Sequence, residues 1–217
     1  MRVVPVPLAV AAALVCCASA VAFSGDPTLQ RDARDQRTAA GLVVHQGDLP
    51  RTWRTVGAEP ESAGVRFSLY LCPRLQSEHD LELTGSASSA FGPPSALTST
   101  AGDSVAAVWR SDHDAAADFE RATSPAFARC LPSVITRALA ARHTHGQVVA
   151  EGPITIPRVA TRTRAFEVSA RYGGGKMLTY DFVFVGAKRA NALIAVAGGT
   201  RADVTALARA VAGRLAR

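Results

Sequence analysis

Hydrophobic and polar residues alternate most clearly between Arg164 and Gly199, and this stretch predicts the centre of the fold. In Arg164–Tyr172 and again in 178–184, every second residue is apolar, and three glycines separate the two runs. A turn at 186–191 leads to Leu193–Ala197, which is almost wholly apolar. A period of two bounded by Gly and Asn is typical of antiparallel strands with one buried face. We therefore predict a three-stranded meander on which the rest of the chain packs.

Shorter patterns of the same kind predict further strands outside the meander, at Val65–Leu71, Gly85–Phe91, Ser104–Trp109 and Val148–Ile156. Because Gly85–Phe91 is rich in Ser and Ala, we predict only a weak edge strand there. Gly, Pro, Ser and Thr dominate the residues between 92 and 103, which indicates a loop. Strands are thus predicted both before and after the helical segments.

Two neighbouring helices are predicted in the middle of the chain. Ser111 and the acidic residues that follow it offer N-caps for a helix over 115–122. Ser124 and Pro125 are typical of the start of a second helix, with Ser as the cap and Pro in the first position. Pro132 lacks the N–H group that a helix interior uses, so we predict a kink or a break at that residue.

The C-terminal segment predicts a further helix. Thr200 and Asp203 have the spacing of a capping box, and one apolar stripe follows: Val204, Leu207, Ala208, Val211 and Leu215. The order of elements is strands, helices, strands and a helix, with no repeat and no long linker. We therefore predict a single α+β domain with helices packed on an antiparallel meander sheet.

The first 20 residues, Met1–Ala20, have the three parts of a secretory signal peptide. Arg2 supplies the positive charge, Val6–Cys17 is an uncharged apolar run, and Ala18-Ser19-Ala20 matches the cleavage pattern. We therefore predict export from the cytoplasm to the cell envelope or the medium.

Two other interpretations of this segment remain open. In the first, the segment stays uncleaved as an N-terminal anchor and associates the protein peripherally with the membrane. In the second, Cys16 or Cys17 carries a lipid. A lipidation motif has a small residue before the cysteine, whereas Val15 precedes Cys16. Residues 21–41 are mostly polar and predict a tether, so we place the secreted domain at 42–217.

Removal of the signal peptide leaves two cysteines, Cys72 and Cys130. In an oxidising compartment they are expected to pair, because neither has another partner. The alternative is a pair of buried free thiols. The loop that a bond between Cys72 and Cys130 closes is long enough for the disulfide to stabilise the fold by roughly 4 kcal/mol, in the chain-entropy account of disulfides.

The positive charge does not predict nucleic-acid binding. Lys and Arg number 24 against 18 Asp and Glu, which gives a formal net charge of +6. The arginines are scattered singly beside acids, as in Arg31-Asp32 and Arg34-Asp35. A protein that binds nucleic acid concentrates its basic residues on one face. We predict a solvated surface and no nucleic-acid partner.

Histidine and carboxylate patterns do not add up to an active site. His143 and His145 have a spacing that suits a metal, but they follow a helix in a polar segment. His113 lies between two aspartates that capping explains, and no Gly-x-Ser-x-Gly nucleophile motif is present. Glu78, Asp80 and Glu82 form an acidic run that could bind calcium weakly, but the run lacks the glycine and the spacing of a calcium loop.

The glycines at 173–175 are followed by Lys176 and Met177, which fails the phosphate-loop pattern and instead predicts a hairpin turn. We therefore predict no catalytic residue, no metal site and no cofactor.

Several short motifs together resemble a known family. They are Asp48-Leu49-Pro50-x-x-Trp53, Cys72 after a strand, Val105–Trp109 leading into helix Asp114–Ala122, Cys130-Leu131, and the closing hairpins with a terminal helix that carries Arg214. Over 42–217 the chain is similar to the extracellular sensor domains of mycobacterial PknH-type receptor kinases and to related actinobacterial envelope lipoproteins. The resemblance implies an α+β fold and a ligand-sensing or binding role. We expect the chain to differ from those domains in having one disulfide where they carry two, and in having no cytoplasmic kinase.

These observations favour an exported, non-catalytic binding or sensor-like module. Its partner would be a small hydrophobic or glycan-derived ligand, or an envelope protein, held between sheet and helices. The candidate contacts are Trp53, Trp109 and Tyr180, although each is also typical of a core residue. The alternatives are an exported hydrolase that uses a histidine, and a purely structural domain marked by an exposed apolar patch.

Overall fold

The computed structural model describes residues 27–59, 72, 79–93, 101–141 and 146–217. Within these residues, eight strands form one sheet: β1 (Thr28–Leu29), β2 (Arg54–Glu59), β3 (Glu82–Gly92), β4 (Ala101–Trp109), β5 (Gly146–Pro153), β6 (Arg162–Tyr172), β7 (Lys176–Ala187) and β8 (Ala190–Ala197). Their order is β1-β3-β4-β8-β7-β6-β5, and β2 also pairs with β3. Every pairing is antiparallel except that of β1 with β3.

In the described parts of the chain, four α-helices pack on this sheet: α1 (Ala33–Leu42), α2 (Asp112–Ala122), α3 (Pro125–Ala141) and α4 (Arg201–Leu215). Ser111 is the N-cap of α2, and Thr200 with Asp203 forms the predicted capping box of α4. The prediction of a single α+β domain built around a meander is confirmed, since β5 to β8 follow one another in the sheet. Among these four helices, none combines the length and the apolar character needed to cross a membrane.

The central strands are buried on both faces, not on one as the sequence pattern predicts. On β7, Val183 and Val185 lie in a core covered by α1 and α4, and Phe182 and Phe184 lie in a second core covered by α2 and α3. The same alternation on β8 explains why that strand is almost wholly apolar. A strand with helices on both sides needs apolar residues at every position.

The second core contains the disulfide. Phe127 of α3 packs edge-on against Phe184 of β7, with 5.4 Å between ring centroids, and also meets Phe166 of β6. Cys72 is buried in this core and is bonded to Cys130 of α3, with 5.9 Å between their Cα atoms. This is the pairing that the sequence predicts, and it ties an early part of the chain to the helical layer.

Strand β3 is a full member of the sheet and not the weak edge strand predicted for Gly85–Phe91. It pairs with β4 along its length, while β1 and β2 take opposite ends of its other edge. Between them the side chain of Gln36 on α1 bonds both the N–H and the C=O of Ser86. Small residues suit this position, since a Cβ at Gly85 would overlap the backbone of Asp35.

The segment 21–41, predicted as a polar tether, contributes β1 and most of α1 to the fold. Ala39 and Leu42 are buried against the sheet, and the Asp32 side chain caps α1. The polar side chains of α1 are used in contacts: Asp35 accepts hydrogen bonds from Arg189, at 2.5 Å, and from the hydroxyl of Thr84. Because these partners lie far along the chain, the polar composition alone does not reveal them.

Helix α3 is continuous through Pro132, so the break that the sequence predicts as an alternative to a kink does not occur there. Leu131, Val134 and Ile135 on either side of the proline are all buried in the second core. Their packing outweighs the one backbone hydrogen bond that proline removes. The predicted signal peptide Met1–Ala20 and the predicted strand Val65–Leu71 lie outside the described residues.

Asp48 holds the two ends of the domain together. Arg214 of α4 forms two hydrogen bonds to its carboxylate, at 2.8 and 2.9 Å, and a third to the carbonyl of Val43. Burial by itself raises the pKa of Asp48, but the hydrogen bonds from Arg214 and from the His45 N–H outweigh it and lower that pKa. Trp53 follows this turn into the first core, so the Asp-Leu-Pro-x-x-Trp motif has a structural role.

Loss of the disulfide should destabilise the fold strongly. We expect the double variant Cys72→Ser/Cys130→Ser to lose roughly 2–4 kcal/mol of unfolding free energy, because its unfolded chain is no longer cross-linked. Urea unfolding with and without reductant measures this. Reductant should destabilise the wild type by a similar amount and leave the double variant unchanged. A wild type that is insensitive to complete reduction would contradict the expectation.

We call the hydrogen bonds from Arg214 to Asp48 and to the carbonyl of Val43 the Asp48 clamp. The stability that this clamp provides depends on the shape of arginine as well as on its charge. Arg214→Lys keeps the charge but loses the two-pronged contact and the bond to Val43, so we expect a loss of about 1–2 kcal/mol. Arg209→Lys, on the exposed side of the same helix, is the matched control and should change stability little. Equal urea midpoints for the two variants would show that the clamp does not stabilise the domain.

Candidate functional site

The three aromatic candidates lie in separate clusters and do not form one site. Trp53 belongs to the first core and stacks on Phe91, with 5.9 Å between ring centroids. Trp109 is fully buried in a third cluster, with Leu83 and others. Tyr180 packs against the second core, on the other face of the sheet from Trp53. Each aromatic therefore has a packing role of its own.

The histidine and carboxylate candidates are also dispersed. His113 is exposed in the first turn of α2, and His143 and His145 lie outside the described residues. Asp80 is bonded twice by Arg121, which lowers the pKa of that carboxyl to about 2. Within the ranges that the structure covers, no group of three His, Cys, Asp or Glu side chains could hold a metal ion.

A row of polar side chains lies on the sheet face that α4 covers in part. We call it the polar strip and define it as Glu167 and Ser169 of β6, Thr179 and Asp181 of β7, and Arg201 at the start of α4. Glu167 is directly opposite Asp181 in the strand register, and Ser169 is opposite Thr179. The two hydroxyl oxygens of the second pair are 3.1 Å apart. Period-two alternation brings these four strand residues to one face.

Asp181 is the unusual member of the polar strip, because only 3% of the residue is exposed. Its Oδ1 atom accepts no hydrogen bond from the described residues, and a guanidinium nitrogen of Arg201 lies 3.5 Å from it. The same Arg201 nitrogen lies 2.5 Å from the carboxylate of Glu167. One cation therefore faces two carboxylates.

The surroundings of Asp181 disfavour its charged form. Burial raises the pKa of this carboxyl, Arg201 lowers it, and the neighbouring carboxylate of Glu167 raises it, with a net upward shift. Such a group costs the fold stability at neutral pH unless something else compensates it. A buried acid with a perturbed pKa beside a specific charged partner is a candidate functional group.

Neither Asp181 nor Arg201 is among the candidate residues that the sequence predicts. The sequence of β7 contains a pattern that could have indicated Asp181. On the strand face that carries every second residue, Thr179 and Asp181 are polar, whereas the next two residues of that face, Val183 and Val185, are apolar. A change from polar to apolar along one strand face marks the limit of the buried core. Arg201 has no such signal, because its contact depends on how α4 meets the sheet.

Comparisons with known proteins reveal the fold and no family. No family model matches this sequence, and no curated protein matches it. Among solved structures, the crystal structure of the extracellular domain of PknH from Mycobacterium tuberculosis is similar, with a TM-score of 0.50 and 12% identity. The match covers 87% of this chain and 99% of that one. At this identity the likeness establishes a shared α+β architecture.

The raised pKa gives a prediction for stability. A carboxyl whose pKa is raised in the folded state contributes stability below its ordinary value of 3.8, and that contribution is lost as the pH rises through the folded-state value. At neutral pH Asp181→Asn should therefore stabilise the domain by about 1 kcal/mol, or about 2–4 °C in Tm. This gain in stability should vanish below pH 3.8, where the Asp181 carboxyl of the wild type is neutral in both the folded and the unfolded state.

Thermal unfolding of both proteins between acidic and neutral pH tests this expectation. Glu120→Gln is the matched control, since Glu120 is an exposed acid on α2 and its loss should alter Tm little at any pH. A neutral-pH Tm of the Asp181→Asn protein below that of the wild type would show that the carboxylate stabilises the fold.

Proposed function

We propose that this chain is an exported, non-catalytic binding module of the cell envelope, and that its ligand binds at the polar strip. The observation that carries the proposal is the fold shared with an extracellular domain, whose length the match covers almost completely. That domain belongs, by its name, to PknH. Because folds host many functions, the proposal also needs support from the site and from the chain itself.

Export is supported by two independent features. The predicted signal peptide Met1–Ala20 directs the chain out of the cytoplasm, and the Cys72–Cys130 disulfide is of a kind that persists in oxidising compartments. Retention at the membrane, through an uncleaved segment or a lipid on Cys16 or Cys17, is part of the proposal as an alternative to release.

The polar strip supports the choice of ligand. Trp53, Trp109 and Tyr180 are in separate clusters, so we place binding away from them. Carboxylate, hydroxyl and guanidinium groups on one face suit a ligand with hydroxyls or charge, and a glycan-derived molecule fits better than a wholly hydrophobic one. An envelope protein with such groups on its surface is the alternative partner.

The other two functions receive less support. A histidine-based hydrolase requires a base that is close to an acid and a nucleophile, and the described His113 is exposed on α2. A structural interaction domain would present a continuous apolar patch. The large apolar side chains that are exposed in the described residues are Leu29, Val149 and Met177, on three different strands.

Native mass spectrometry of the protein purified gently from its own host tests the proposal. We expect extra mass that survives gentle ionisation and disappears on denaturation, because a module of this kind is isolated with part of its ligand. The same spectrum reports whether cleavage follows Ala20. The matched control is the same chain produced in a foreign host, which should be bare. A bare chain in repeated preparations from the native host would contradict a tightly held ligand.

A further inference from the structure

We propose that the Glu167–Asp181 pair of the polar strip binds an organic cation, a primary ammonium or a guanidinium group carried by the ligand. This inference rests on the proposed binding function and specifies the chemistry of the ligand. It starts from the observation that the fold keeps a nearly inaccessible carboxylate at a place where it accepts no hydrogen bond from the described residues.

The balance of charge in the strip favours a cation. Glu167 and Asp181 contribute two carboxylates, and Arg201 is the one cation that contacts them among the described residues. Arg201 is also placed unequally, at 2.5 Å from Glu167 and 3.5 Å from Asp181. Asp181 therefore retains acceptor capacity that an N–H donor with a positive charge would fill best.

The strip offers more than charge to such a group. The hydroxyls of Ser169 and Thr179 lie on the same face, two residues along each strand from Glu167 and Asp181, and both can accept a hydrogen bond from an ammonium. A metal ion is a poorer candidate, because calcium and magnesium take six or more oxygen ligands and the pair supplies two carboxylates. In the described part of the chain, no group of three His, Cys, Asp or Glu side chains could hold a metal ion.

Arg201 acts in this proposal as an internal stand-in for the ligand. Its guanidinium lies 3.5 Å from Asp181, 41% of its side chain is exposed, and it is the first residue of α4. A long side chain at a helix start can move aside without disturbing the helix. Ligand and Arg201 then compete for the same carboxylates, so weakening Arg201 should strengthen binding of a cation.

An NMR titration of the purified domain with n-butylammonium tests the inference at constant ionic strength. We expect saturable shifts at the amides of residues 167, 181 and 201, with a Kd on the order of millimolar for so small a probe. Butyrate, which has the same chain and the opposite charge, should cause no saturable shifts there. Absence of saturable ammonium shifts, or equal shifts with butyrate, would overturn the proposal.

Two variants should change the affinity in opposite directions. Asp181→Asn should bind n-butylammonium at least about tenfold more weakly although it is the more stable protein, and Arg201→Gln should bind about threefold more tightly. Glu120→Gln and Arg209→Gln, which remove the same charges elsewhere on the surface, should stay within about twofold of the wild type. Weaker binding by Arg201→Gln would overturn the idea that Arg201 occupies the site.

Failure of this inference can be told apart from failure of the proposed function. The titration uses a pure protein and a defined probe, so it needs no native ligand. If the protein from the native host carries a ligand but does not bind n-butylammonium, the proposed binding function is supported and the organic-cation site is contradicted. If the protein binds n-butylammonium but is isolated from its host without a ligand, the cation site is supported and the proposal of a tightly held ligand is contradicted.

Discussion

The structure depends on burying the two central strands, β7 and β8, from both sides. Val183 lies in the core covered by α1 and α4, and the next residue along β7 towards its start, Phe182, lies in the core covered by α2 and α3. Successive residues of one strand thus contribute to the two cores in turn. Helices on one face alone would leave half of these apolar side chains in water, at a cost of about 25 cal/mol for each Å² exposed. The two layers therefore stabilise each other through the sheet.

Long-range polar contacts fix the helices over these cores. Arg189, in the turn between β7 and β8, joins Asp35 of α1 to the carbonyl of Trp109. Arg214 joins α4 to Asp48. These contacts, with the disulfide, connect segments that are distant in sequence. The polar strip lies on the sheet face that α4 covers only in part, and Asp181 is its buried member.

Asp181 is the residue at which stability and local patterning disagree. Its position belongs to the buried face of β7, yet it carries a charge that burial disfavours. Natural sequences accept such conflicts mainly where a side chain has a task other than packing. This links the shape of the fold to the proposed site: the limit of α4 decides which residues of the sheet are core and which can meet a ligand.

The sequence by itself determined the local elements. The meander, the capped helices α2 and α4 and the cysteine pair follow from periodicity, capping chemistry and elimination, all of which act over a few residues or on composition. The tertiary structure decided that β3 lies inside the sheet, that α1 packs on it, and that α3 continues through Pro132. It also decided that Arg201 meets Asp181 while the three aromatic candidates stay apart. These outcomes depend on contacts between distant segments, and no local pattern encodes which segments will meet.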